Sequence, residues 1–203
     1  MRSKFLLPAI FVVVFAVSRI PGLMPWNFSV VYAFAFCAGV YFPGASKWWL
    51  PLAVMLATDV ALNIFKYHIA PFGLDLVVNY LVYAVIIGLG SWLGPRAAYY
   101  KLILGGLLGA TIFYLVTNTL SWLQDPYYAK TIAGWIQALT IGHTDLHPYT
   151  WEFFRNTLLS TGLFTALFAG AAKISAESPA DKTAGTQEPA ESEPEAQAQE
   201  AKS

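Results

Sequence analysis

The chain has 203 residues, with twelve Lys and Arg against twelve Asp and Glu, 12% charged and 57% hydrophobic residues. Ordinary soluble domains carry about 25% charged residues, and a soluble fold of this size cannot hide so much apolar surface. The composition therefore excludes a soluble enzyme, a disordered regulator and a basic nucleic-acid binder, and a single cysteine, Cys37, excludes a disulfide framework or a thiolate-built zinc site. What remains is an all-α integral membrane protein.

The zero net charge conceals two regions of opposite sign. Residues 1–174 hold ten basic and five acidic residues, and residues 175–203 hold two lysines and seven acidic residues. The second region contains no Leu, Ile, Val or aromatic residue, so it cannot bury enough apolar surface to offset its ordering entropy. The expected organisation is a transmembrane domain over 1–174 and a disordered acidic cytoplasmic tail over 175–203.

Charges and Pro/Gly clusters cut the first region into six apolar stretches, 5–18, 28–42, 48–65, 74–93, 102–122 and 153–172. Each is read as one span of a six-transmembrane-helix bundle, at about 20 apolar residues per crossing. The first stretch, behind Arg2 and Lys4, also has the form of a secretory signal, whose cleavage would leave five spans. Trp48, Trp49, Trp92, Tyr99 and Tyr100 fall at one set of span ends, and Trp26, Trp122, Tyr127, Tyr128 and Trp151 at the other, as interfacial belts do. With both termini cytoplasmic, six cationic residues lie inside and four outside, a mild preference for that orientation in a bacterial inner membrane. The long outer connection after the fifth span contains an amphipathic segment, 128–141, suited to an interfacial helix.

Polar residues inside the spans gather at the outer ends. Asp59 and Asn63 sit four apart on one helical face of the third span, and Asn79 lies one to two turns into the fourth. Asn118 and Trp122 close the fifth span, Arg155 and Asn156 open the sixth, and Ser18 and Arg19 end the first, near Asn27. Helix ends tolerate polar residues cheaply, which accounts for Ser18 and Arg19. It accounts poorly for Asp59 and Asn63, because intramembrane ionisable groups are costly and usually functional. The pattern predicts a pocket opening outward and lined by Asn27, Asp59, Asn63, Asn79, Asn118, Trp122, Arg155 and Asn156. Arg155 is expected to hold an acidic substrate through its planar guanidinium, or to pair with Asp59. The inner halves carry small residues at GxxxG spacing, Gly90 with Gly94 and Gly105 with Gly109, which suit close helix packing.

The order of motifs carries a resemblance. The run from Asn27-Phe28-Ser29 through Ala38-Gly39-Val40-Tyr41-Phe42, then Met55–Asp59, Leu115–Trp122, Tyr127-Tyr128 and Phe153–Leu158 resemble a family of small bacterial membrane proteins treated as transporters. That family is distantly similar to the substrate-binding S components of energy-coupling-factor (ECF) vitamin transporters. The resemblance implies a six-helix bundle with a substrate pocket near the outer face, a transmembrane ECF coupling subunit and cytoplasmic ATPases as partners, and a vitamin or heteroaromatic metabolite as ligand. The Ala-x-x-x-Ala contact motif frequent in the first span of S components is missing, since Ala9 and Ala16 stand seven apart.

No nucleotide-binding loop, nucleophile elbow or HExxH helix is present, so neither ATP hydrolysis nor hydrolase chemistry has an anchor in this sequence. His143 and His147, with Asp145 between them, have metal-ligand spacing only if helical, and Gly142 and Pro148 oppose that. No metal or cofactor is expected. Two functional classes lead, a non-enzymatic substrate-binding subunit of an uptake system and a structural or assembly membrane protein whose polar cluster is an internal network; a membrane enzyme acting on lipid is a third, with Asp59 or His143 as its base.

Overall fold

The computed structural model describes residues 6–177, and they form seven α-helices. These are α1 (Leu6–Ser18), α2 (Val31–Tyr41), α3 (Ser46–Leu62), α4 (Leu74–Leu93), α5 (Tyr99–Gln124), α6 (Ile132–Thr140) and α7 (Thr150–Glu177). A π-helical turn, Asn63–Tyr67, continues α3. Four helices are long and apolar enough to cross a membrane: α3 with its π turn, α4, α5 and α7. The chain has the build of a multi-pass membrane protein.

Six spans were expected, the first two of them short; α1 keeps its expected end at Ser18, and α2 is shorter than the expected 28–42. Within the described residues α1 has 13 residues and α2 has 11. At 1.5 Å per residue α2 reaches only about 16 Å, roughly half a bilayer core. Its role differs from that of a lipid-facing span: every residue from Val31 to Val40 is buried. A helix apolar on all sides belongs inside a bundle, and α2 packs on α1, α3, α4, α5 and α7. The seventh helix, α6, is the short amphipathic segment expected within 128–141. Thr131 caps it by accepting a hydrogen bond from the Gly134 backbone N–H at 3.2 Å.

Glycines set how closely α2 is gripped. A Cβ on Gly39 would lie 2.1 Å from the Ile87 carbonyl oxygen, and one on Gly90 would lie 2.1 Å from the Phe36 carbonyl oxygen. The α2 and α4 backbones thus touch reciprocally through two residues that have no side chain. Gly105 receives the Phe36 ring and Leu93, and Gly109 faces Ile86. The GxxxG residues therefore serve internal packing, except Gly94, which ends α4 at φ +68°.

The sixth expected span also ends later than anticipated. Helix α7 continues to Glu177, so residues 175–177 extend a helix where a disordered tail was expected. The rest of the tail, like the residues preceding Leu6, lies outside the described residues. The chain alternates between two ends of the bundle. One, the loop-rich end, holds the α1–α2, α3–α4 and α5–α7 connections. The opposite end holds the short α2–α3 and α4–α5 turns.

Candidate functional site

The buried stripe of α1 runs Pro8, Phe11, Phe15, and its next helical neighbour is Arg19, four residues beyond Phe15. On α3 the buried stripe runs Pro51, Met55, and its next member is Asp59. The two stripes carry Arg19 and Asp59 to the same place at the loop-rich end, where the guanidinium Nη2 donates to Asp59 Oδ1. The other carboxylate oxygen accepts from Tyr80 Oη at 2.9 Å, so α1, α3 and α4 meet on one carboxylate. Both charged side chains are about one-fifth to one-quarter exposed, at 24% and 21%. The Arg19 Nε is buried without a protein partner.

Beside this triad opens a cavity of about 600 Å³. Its wall is the Pro/Gly-rich α1–α2 connection, from Arg19 through Pro21, Gly22 and Pro25 to Ser29, together with Leu62, Lys66 and Tyr67 from the end of α3. Pro and Gly keep this connection from continuing either helix. Asn27 holds a left-handed conformation at φ +54° and lines the cavity. Trp26, Phe28, Met24 and Tyr67 give it an apolar and aromatic side, and Arg19 and Lys66 give it two cations. A much smaller space of about 70 Å³ adjoins through Asn27, lined also by Tyr32, Thr117, Asn118 and Thr157.

The expected site residues separate on this geometry. Asn27 lines both spaces and Asn118 the small one. Asp59 stands next to the large cavity as the anchor of Arg19 without lining it. Asn63 and Asn79 are half-buried and line neither. Asn63 keeps helical register with Asp59, its backbone N–H bonding the Asp59 carbonyl, and the π turn shifts the residues after it. Trp122 and Asn156 serve the backbone of the loop-rich end. Trp122 Nε1 donates to the Ala129 carbonyl and Asn156 Nδ2 to the Trp26 carbonyl, both at 2.9 Å.

Arg155 is a correction. It is exposed, lines neither cavity and is not the partner of Asp59. Its stripe on α7 continues through Leu159, Leu163 and Leu167, all exposed, so the helix turns it outward. There its guanidinium lies 5.2 Å from the Trp151 ring centroid, a cation–π contact. The residue the sequence reading missed as a site member is Arg19. Its signal was the four-residue spacing from Phe15, which puts it on the buried face.

A second polar cluster sits in the α5–α7 connection. His143 Nε2 meets Asp125 Oδ2 at 2.7 Å while its ring stacks on Tyr127 at 3.9 Å. Hydrogen bonds from His143 and from the Tyr127 backbone N–H hold the Asp125 carboxyl below its ordinary pKa. His147 instead packs on Tyr149 at 4.2 Å, so the two histidines do not converge on one point. Lys130 donates to the Trp122 and Asp125 carbonyls, which closes the loop over the end of α5.

The chain belongs to the DUF6580 family, a family of unknown function, whose profile matches residues 1–183. No curated protein and no solved structure matches it.

Proposed function

We propose that this DUF6580 member is a membrane-embedded substrate-binding subunit of a small-molecule uptake system, with the cavity beside Arg19 as its ligand site. The observation that carries the reading is the cavity itself. At about 600 Å³ it falls within the usual size of small-molecule sites, about 300–1,000 Å³, and it joins an aromatic side to a few polar groups. In this reading the loop-rich end faces out of a bacterial inner membrane and both termini face the cytoplasm. Ligand binds without catalytic turnover. The resemblance to ECF S components supplies the remaining parts: a vitamin-like or heteroaromatic ligand, a coupling subunit and separate ATPases, since this sequence has no nucleotide-binding loop.

A structural or assembly role is the second reading, favoured by one observation. Several polar groups first assigned to the pocket are spent on the chain's own backbone: Asn118 on the Tyr114 carbonyl, Trp122 on Ala129 and Asn156 on Trp26.

A thermal-shift screen of the full chain in lipid nanodiscs, against vitamins, modified bases and related metabolites, separates the two. A binding subunit gives a compound that raises Tm in the native chain but not after Met24→Cys is labelled with a bulky maleimide. Cys37 is buried and stays unlabelled. A screen with no such compound, with growth on limiting nutrients unchanged by the label, favours the structural role.

A further inference from the structure

We propose that the cavity beside Arg19 is an anion site, whose ligand presents a carboxylate or phosphate to Arg19 and Lys66. The inference rests on the cavity being a ligand site and adds the charge of what it takes. Two cationic side chains line the cavity and no Asp or Glu does. The nearest carboxylate, Asp59, is already occupied by Arg19 and Tyr80 and lies outside the lining. Lys66 has no ion pair among the described residues. The balance is therefore one compensated guanidinium and one uncompensated ammonium facing the same space.

The two cations are suited to different tasks. Arg19 is fixed by Asp59, so its planar fork is oriented before any ligand arrives and little side-chain freedom is lost on binding. Asp59 also lowers the net field that Arg19 projects, which leaves Lys66 as the main source of attraction. Lys66 sits on the π turn at the end of α3, is exposed, and carries a mobile point charge on a flexible stem. The aromatic side of the cavity, Trp26, Phe28 and Tyr67, then receives the uncharged body of the ligand.

Two sources supply this chemistry: a water-borne acid or phosphate ester, and the headgroup of an anionic phospholipid. Inorganic phosphate serves as the probe for both, because a ligand that binds only the folded chain raises its stability by mass action. The full chain is melted in phosphatidylcholine nanodiscs in phosphate and in chloride of equal ionic strength, alongside Lys66→Met and Lys66→Arg. Phosphate stabilises proteins generally, so the reading is the difference between native chain and Lys66→Met. The expected result is an extra upward shift of Tm in the native chain and in Lys66→Arg, and its loss in Lys66→Met. Equal shifts in all three proteins would overturn the proposal.

Repeating the melt in phosphatidylglycerol nanodiscs separates the sources. A headgroup ligand occupies the site and removes the extra phosphate shift, whereas a water-borne ligand leaves it in place. The two readings also fail separately. A neutral compound that binds equally well to Lys66→Met keeps the cavity as a ligand site and overturns its charge preference. A Lys66-dependent phosphate shift with no metabolite bound keeps the anion site and removes the uptake reading.

Discussion

The centre of the bundle and its loop-rich end are built on opposite rules. At the centre, α2 is buried from Val31 to Val40, and Gly39 and Gly90 bring its backbone against that of α4 with no room for a methyl group. At the loop-rich end, a Pro/Gly connection stands off from α3 and leaves about 600 Å³ open. Close packing at the centre fixes the helices that must hold Arg19, Asp59 and Tyr80 in register. The open end needs that register, because the fork of Arg19 is placed by two helix stripes and not by the loop. Rigidity in one region is the condition for a preformed cavity in the other.

The comparison breaks most sharply at the glycines. Gly39→Ala or Gly90→Ala places a methyl carbon against a backbone carbonyl, and overpacking of this kind costs about 3 kcal/mol or more. Thermal unfolding in nanodiscs should show a large fall in Tm or no folded protein, whereas Gly73→Ala in the α3–α4 connection, with extended backbone and nothing within 4 Å, should show only a small one. Equal effects at the two sites would dissolve the contrast.

Next comes the ion pair. Asp59→Ala leaves Arg19 unpaired in a partly buried site and should cost about 2 kcal/mol, less than a fully buried pair would because both groups keep some solvent. Combining it with Arg19→Met should recover most of the stability but not ligand binding. A double variant that binds normally would move the site away from Arg19.

The third effect is confined to the outer connection. The folded pKa of Asp125 lies below its unfolded value, so its bond to His143 stabilises the loop above about pH 4 and that support is lost as pH falls through the lowered folded pKa. Amide protection factors in 125–147, corrected for the intrinsic pH dependence of exchange, should therefore fall at low pH, while those in α2 stay high. His143→Phe should weaken the pH dependence, leaving the part owed to the Tyr127 backbone N–H. The smallest effect belongs to Arg155→Ala, which should change stability by no more than about 0.5 kcal/mol and leave binding intact, because the side chain is exposed and lines neither cavity at the loop-rich end.

How much of this was legible in the sequence follows from the kind of signal each feature leaves. The long helices α3, α4, α5 and α7 were readable because hydropathy over about 20 residues is a strong pattern, and an amphipathic run within 128–141 marked α6. The shortness of the 28–42 stretch was readable but the burial of α2 on all sides was not, since an apolar run looks the same whether lipid or protein surrounds it. Asp59 was recognised because a carboxylate inside a span is costly wherever it points. Its partner was misassigned because depth was compared and helical phase was not. Arg19 and Arg155 lie at similar depth, yet one follows the buried stripe Phe11, Phe15 and the other heads the exposed stripe Leu159, Leu163. The π turn that continues α3 leaves no sequence mark of comparable strength.

The claim that the connection between α1 and α2 encloses a ligand site is tested most directly by native mass spectrometry of the full chain released from nanodiscs. The account predicts about one bound small molecule per chain, lost when Met24→Cys carries a bulky label and retained when Arg155 is replaced by alanine. A bound molecule that survives the Met24 label, or one that disappears with Arg155→Ala, would contradict it.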